Sequence, residues 1–134
     1  MLNRLTDSLN FHGNALTLRA ERQKLLASNI ANGDTPGYQA RDFDFSSALK
    51  QAMGQSSSMP AMATSSTAHL AGRTGALAEP NLLYATSSQT NLDGNTVDMD
   101  RERASFVDNA VKYEATLRFI NGNVRTMLDA IKGQ

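Results

Sequence analysis

Several residue types and patterns are missing from this sequence, and each absence excludes a class of protein. The 134 residues include no cysteine, which excludes a disulfide framework and thiol chemistry. Lys and Arg together number 13, as do Asp and Glu, whereas a nucleic-acid-binding domain normally carries a basic excess. No apolar run approaches the roughly 20 residues of a membrane span, and the N-terminal segment lacks the apolar core of a cleavable secretory signal. We therefore expect no nucleic-acid partner and no cleaved signal peptide.

Residues 1–31 are predicted to form a helix with two apolar stripes. The first stripe contains Leu2, Leu5, Leu9, Leu16 and Ile30, and the second contains Phe11, Leu18 and Leu25, which lie seven residues apart. Both sets recur at helical spacing, and polar residues occupy the remaining sector. Two apolar stripes on one helix indicate two packing partners.

Residues 98–132 carry a stronger helical pattern. Apolar residues alternate at spacings of four and three, which is the heptad pattern of coiled-coil packing. We call this set the C-terminal seam: Phe106, Ala110, Tyr113, Leu117, Ile120, Val124, Met127 and Ile131. Asp98 is the predicted N-cap, and Gly133 is the predicted stop after Lys132.

The central segment differs in composition from both predicted helices. It is rich in Ser, Thr and Ala, has no period, and contains one short apolar run, NLLYAT at 81–86, that is compatible with a strand. LDGNT at 92–96 is a turn signal. We predict a mainly α fold, with the N- and C-terminal helices paired in a coiled-coil-like inner domain and joined by a long irregular or weakly β segment. The expected units are 1–33, 34–53, 54–96 and 97–134, the second being an extended elbow.

The stretch ASNIANGDTPGY at 27–38 interrupts the first helix abruptly. Asn32 and Gly33 tolerate the left-handed conformation that closes many helices, and Pro36 prevents the helix from continuing. Residues 35–38, with the sequence TPGY, fit a type II turn, in which Gly37 takes the positive-φ position. The turn is expected to direct Tyr38 and the following QARDFDF away from the helix axis.

The spacing of the residues gives little support for a metal site or a catalytic site. NLDGNTVDMDRE at 91–102 partly imitates a calcium loop, but Thr96 stands where the turn of that loop needs glycine. Neither His12 nor His69 has a nucleophile or a further metal ligand at a useful spacing. We interpret Asp34, Asp42 and Asp44 as residues of a solvated loop. We predict no catalytic residue, no metal, no cofactor and no small-molecule substrate.

SNIANGDTPGY resembles the N-terminal signature of bacterial flagellar axial proteins. Together with YQARDFDF and LDGNTVDMDRE, it is similar to the proximal rod family of the flagellar basal body. The resemblance covers residues 1 to about 53 and about 80 to 134. The residues matching the signature, with a role in assembly geometry, are Ser28, Asn29, Ile30, Ala31, Asn32, Thr35, Pro36, Gly37 and Tyr38.

The resemblance implies a structural subunit that polymerises into a hollow rod in the periplasm. Its implied partners are further copies of itself, other flagellar rod proteins, membrane-ring and rod adaptor proteins, and the flagellar type III export apparatus. A cytoplasmic coiled-coil adaptor or export chaperone is the alternative. It would share the heptad helix but would not need the elbow.

Overall fold

Two long antiparallel helices dominate the computed structural model, which describes residues 2–54, 82–84 and 92–133. The first helix, α1, spans Leu2–Ala31, followed by strand β1 (Arg41–Asp42) and helix α2 (Phe45–Gly54). Strand β2 (Leu83–Tyr84) precedes the last helix, α3 (Met99–Lys132). Helix α1 packs mainly against α3, and to a smaller extent against α2 and β1. The predicted fold class is therefore confirmed.

The predicted ends of α3 are confirmed, as is the predicted end of α1 at Ala31, but α1 does not close with the left-handed residue that we predicted. Asp98 caps α3 by accepting a hydrogen bond from the Arg101 backbone N–H, and Gly133 closes the helix with a left-handed φ of 73°. At the end of α1, neither Asn32 nor Gly33 has a positive φ. The Asn32 amide instead donates to the carbonyls of Ser28 and Asn29, so the last turn tightens without a left-handed residue.

Helix α2 lies in a region that we predicted as extended. Asp44 accepts hydrogen bonds from the backbone N–H groups of Ser46 and Ser47, and its carbonyl accepts from the Ala48 N–H. These contacts make Asp44 the N-cap of a helix. Leu18, Phe43 and Ala48 form a buried cluster between α1 and α2, with Leu25 packed at its edge. Two members of the second apolar stripe thus face α2.

The interface between α1 and α3 is more polar than the C-terminal seam predicts. The buried residues of α3 are Glu102, Asn109 and Thr116, which follow one another at intervals of seven. The Asn109 side chain donates to the Arg19 carbonyl and to the Gln23 Oε1 on α1. Together with the Asn29–Glu102 hydrogen bond, these contacts of Asn109 fix the register of the two helices.

The C-terminal seam straddles the edge of this interface. Four of its members, Phe106, Tyr113, Ile120 and Met127, are half-buried beside the polar contacts. Ala110 is also half-buried, whereas Leu117, Val124 and Ile131 are exposed. Part of the heptad pattern thus faces outward in the single chain.

Several sequence predictions concern residues outside those that the structure describes. These are the Ser/Thr/Ala-rich segment 55–80, His69, the ends of the NLLYAT run, and the Leu2 side chain. The part of NLLYAT that is described, Leu83–Tyr84, is a strand paired antiparallel with Arg41–Asp42, in agreement with the prediction. Within the described residues, none of the helices has the combination of length and apolar character that a membrane crossing requires.

Candidate functional site

The elbow after α1 contains the turn that the sequence predicts. Gly37 has a φ of 71°, and the Tyr38 backbone N–H donates to the Thr35 carbonyl at 3.2 Å. The Gly37 N–H donates to the Asp93 carbonyl at 2.9 Å, so the turn also contacts the segment before α3. The glycine is needed because a positive φ is costly for any residue with a Cβ.

The chain after the turn runs back along α1, contrary to our expectation that it would leave the helix axis. The Tyr38 hydroxyl donates to the Asn29 Oδ1 at 3.2 Å and lies 3.3 Å from the Ser28 hydroxyl. Farther along, Arg22 binds Asp42 through two hydrogen bonds of 3.0 and 2.8 Å. These polar contacts hold residues 38–42 against the side of α1. The chain therefore does not take the outward path that we expected from the Pro-Gly turn.

Asn29 joins three segments from a nearly fully buried position. Its Nδ2 donates to the Arg41 carbonyl at 2.8 Å and to the Glu102 carboxylate at 3.0 Å. Its Oδ1 accepts from the Arg41 backbone N–H and from the Tyr38 hydroxyl. All of the hydrogen-bonding groups of this amide are thus occupied, linking α1, β1 and α3.

Asn95 makes a second junction of the same kind, and its side chain has no exposed surface. Its Nδ2 lies 2.8 to 3.0 Å from the carbonyl oxygens of Asn32, Gly33 and Thr35. Its Oδ1 accepts from the Val97 backbone N–H at 2.8 Å. The segment that follows α1 is therefore tied to a residue 60 to 63 positions later, which also supplies the Gly33 carbonyl with a donor. We call Asn29, Tyr38, Asn95 and Glu102, with the 35–38 turn, the clasp.

The electrostatics of the clasp centre on Glu102. Burial raises the pKa of this carboxyl, and Asp42 raises it further, while the hydrogen bond from Asn29 and the charges of Arg101 and Arg22 oppose the change. Because Arg22 is paired with Asp42, Glu102 has an amide rather than a cation as its direct partner. Ionised Glu102 is therefore held in the clasp at a cost in stability.

Replacing Glu102 with glutamine should change how stability depends on pH. The folded-state pKa is raised above the ordinary 4.5, so the cost of the ionised carboxyl is fully present above that raised value. It disappears as pH falls through the raised pKa toward 4.5, and the wild-type chain gains stability relative to Glu102→Gln over that interval. Urea unfolding of both proteins from pH 7 to pH 4 measures the difference.

The matched control is Glu114→Gln on the same helix, where the carboxylate is exposed and paired with Arg118. The difference in free energy of unfolding between Glu114→Gln and the wild type should stay nearly constant as the pH falls. If the difference between Glu102→Gln and the wild type were equally independent of pH, burial of the ionised Glu102 carboxylate would not cost the fold any stability.

The signature residues divide into an inward and an outward set. Ser28, Asn29, Asn32 and Tyr38 direct polar atoms into hydrogen bonds within the chain, and Ile30 is half-buried. Ala31, Thr35, Pro36 and Gly37 are exposed. The structure therefore brings the signature together as one compact elbow, with its amides inside and its small residues on the surface.

Sequence reasoning missed Asn95 and Glu102, the two partners that the C-terminal part supplies. Both lie in the 91–102 stretch that partly imitates a calcium loop, and nothing in the sequence predicts that they contact α1. In the structure the Glu102 carboxylate accepts from Asn29, and the Asn95 side chain faces the end of α1, so both groups are engaged within the fold. No group of three or more metal-binding side chains occurs among the residues that the structure describes.

Comparison with known proteins identifies relatives over nearly the whole chain. The family model described as Flagella basal body rod protein matches residues 9–39, which include most of α1 and the whole 35–38 turn. The chain is 47% identical to the flagellar basal body rod protein FlgB of Proteus mirabilis, covering 98% of each chain. It is 44% identical to that of Escherichia coli over 98% of each chain, and 45% identical to that of Salmonella typhimurium over 99% of each.

Proposed function

The chain belongs to the FlgB family of flagellar basal body rod proteins, and from this premise we propose that it polymerises into the proximal part of the rod. As a member of that family it is a structural subunit of the basal body rod, not an enzyme. In the proposal, copies of the chain join other rod proteins to form a hollow drive shaft anchored on the membrane ring.

The observation that carries this proposal is the extent of the similarity. The 47% identity extends over 98% of the chain, and so includes both long helices and the clasp between them. An adaptor or export chaperone is not favoured, because the relatives found over this length are named as rod proteins.

The geometry of the elbow supports a role in assembly. The clasp ties α1 to α3 through buried hydrogen bonds, while Ala31, Thr35, Pro36 and Gly37 remain on the surface. A rigid elbow with an exposed outer surface can set the angle at which a neighbouring subunit packs. We assign this role to the outward set of signature residues, with the inward set holding the elbow in shape.

Delivery and anchoring complete the proposal. We propose export through the flagellar type III apparatus without cleavage, followed by contact with the membrane-ring and rod adaptor proteins. The inner coiled-coil unit would comprise residues 1–33 and 97–134. These statements rest on the family to which the chain belongs.

Purified basal bodies test the proposed function directly. A strain lacking the gene for this chain should not swim, and a tagged copy should restore swimming and purify with the basal body. A tagged chain that is confined to the cytoplasm in a complex with one cargo protein would contradict the proposal and support the chaperone alternative.

Leu117→Asp should stop rod assembly without unfolding the chain. Leu117 is already 36% exposed in the single chain, so the carboxylate can reach water there, but it would be desolvated in a packed interface at a cost of several kcal/mol. We expect wild-type circular dichroism from the purified chain and loss of swimming in the cell.

Val111→Asp is the control, because Val111 is 62% exposed on another side of α3. Swimming by the Leu117→Asp strain, or equal loss with Val111→Asp, would contradict a specific role for the C-terminal seam.

A further inference from the structure

An apolar groove lies between the second half of α1 and the first half of α3. Its volume is about 440 Å³, and alanines at 20, 27 and 110 line it together with Phe106 and Tyr113, with Gln23 and Lys24 completing the lining. Small side chains on two adjacent helices leave a channel into which a third helix can place larger ones.

A matching ridge lies farther along α3. Val124, Leu128 and Ile131 are 41%, 48% and 78% exposed, and their spacing of four and three places them on one face of the helix. Leu128 follows Ala110 by 18 residues, which is about five helical turns and about 27 Å. Because this is a whole number of turns, the ridge points to the same side of α3 as the wall of the groove.

From these two features we propose that the groove binds the ridge of a second copy of this chain. The ridge supplies anchors at positions i, i+4 and i+7, the pattern by which an apolar helix binds in a groove. The ridge cannot reach the groove of its own chain, because both lie on one straight helix, about 27 Å apart. The contact must therefore join different copies.

The chemistry of the chain favours a second copy as the occupant. A formal net charge of zero leaves no overall repulsion between identical chains. The contact pairs two different patches and is therefore heterologous, so each copy keeps one free groove and one free ridge for further addition. The inference rests on the proposed polymerisation and specifies which surfaces carry it.

Disulfide trapping tests the contact, since the chain has no cysteine of its own. Purified Ala110→Cys and Leu128→Cys variants, one of them isotope-labelled, are mixed in equal amounts and mildly oxidised, and the three possible dimers are counted by mass. We expect the mixed 110–128 dimer to exceed each same-site dimer by at least about twentyfold, which is about tenfold above the random ratio and corresponds to a preference of about 1.4 kcal/mol. Random pairing would give only a twofold excess.

The control replaces Ala110→Cys with Val111→Cys, which is exposed and points about 100° away around the helix. It should pair with Leu128→Cys only at the random ratio. A random ratio for 110–128, an equal excess for 111–128, or a dominant 128–128 dimer would each overturn the proposal. Any of these results would leave the basal-body test of the proposed function unaffected, so the two failures are distinguishable.

Discussion

Asn95→Ala is expected to lower the free energy of unfolding by about 3 to 4 kcal/mol, a large loss for a single polar side chain. The side chain is fully buried and bridges three carbonyls at the end of α1 to the Val97 backbone N–H. Alanine would leave the Gly33 carbonyl and the buried Val97 N–H without the partner that Asn95 supplies, whereas the Asn32 and Thr35 carbonyls keep the backbone N–H groups of Thr35 and Tyr38. Each buried group left unpaired costs about 1 to 3 kcal/mol, so even partial relaxation leaves a substantial deficit.

Urea unfolding, followed by circular dichroism, measures this loss, and Asn121→Ala is the matched control. Asn121 is an exposed asparagine within α3, so its replacement should change stability by no more than about 0.5 kcal/mol. The Asn95 variant should also exchange the amide hydrogens near Thr35 and Tyr38 faster than the wild type. If the two variants unfold at the same urea concentration, the junction at Asn95 does not stabilise the elbow.

The importance of Asn95 marks the limit of what the sequence could predict here. Local signals sufficed for the ends of α3, because Asp98 and Gly133 act within one helical turn of the residues that they cap. The glycine at 37 was likewise predicted from a Pro-Gly pair that specifies its own turn. Asn95 bonds to carbonyls 60 or more residues earlier, and no periodicity or local propensity encodes such a contact.

The helical pattern of α3 and its pairing with α1 were predicted correctly, but the residues that α3 buries against α1 were not. The heptad rule selects apolar residues, whereas α1 packs against a line that includes Glu102, Asn109 and Thr116. Asn109 lies beside the C-terminal seam and not in it, and its Nδ2 donates to the Arg19 carbonyl and the Gln23 Oε1, so a polar residue is buried at a position where the heptad pattern gives no signal. Helix α2 was missed for another reason: the Asp44 cap and the apolar spacing after it were read as part of an extended elbow.

Gly37→Val should destabilise the elbow by about 1 to 3 kcal/mol, because a β-branched residue strongly disfavours the φ of 71° that this turn requires. Among the described residues, apart from its two chain neighbours, no atom lies within 4 Å of the position where a Cβ would stand, so crowding by them contributes nothing. The cost comes from the backbone alone. A shift of φ would move the Gly37 N–H away from the Asp93 carbonyl and displace Tyr38 from Asn29.

Gly13→Val separates this effect from the general effect of adding a side chain. Gly13 also has open space around it, but it lies within α1 at a helical φ, so valine there should change stability by about 0.5 kcal/mol or less. Gly37→Asn should fall between the two, because asparagine tolerates the left-handed region better than other residues with a Cβ. Urea unfolding should therefore rank the variants Gly13→Val, Gly37→Asn and Gly37→Val, from least to most destabilised.

Swimming assays on the same three variants connect the turn to assembly. Helices α1 and α3 have their own packing and hydrogen bonds, so the helix content of each purified variant should match that of the wild type. Because the exposed outer surface of the elbow is formed by the turn itself, we expect Gly37→Val to abolish swimming and Gly13→Val to preserve it. If the Gly37→Val chain is destabilised but the strain swims normally, the turn stabilises the fold without setting the packing angle in the rod. That angle would then depend on another surface.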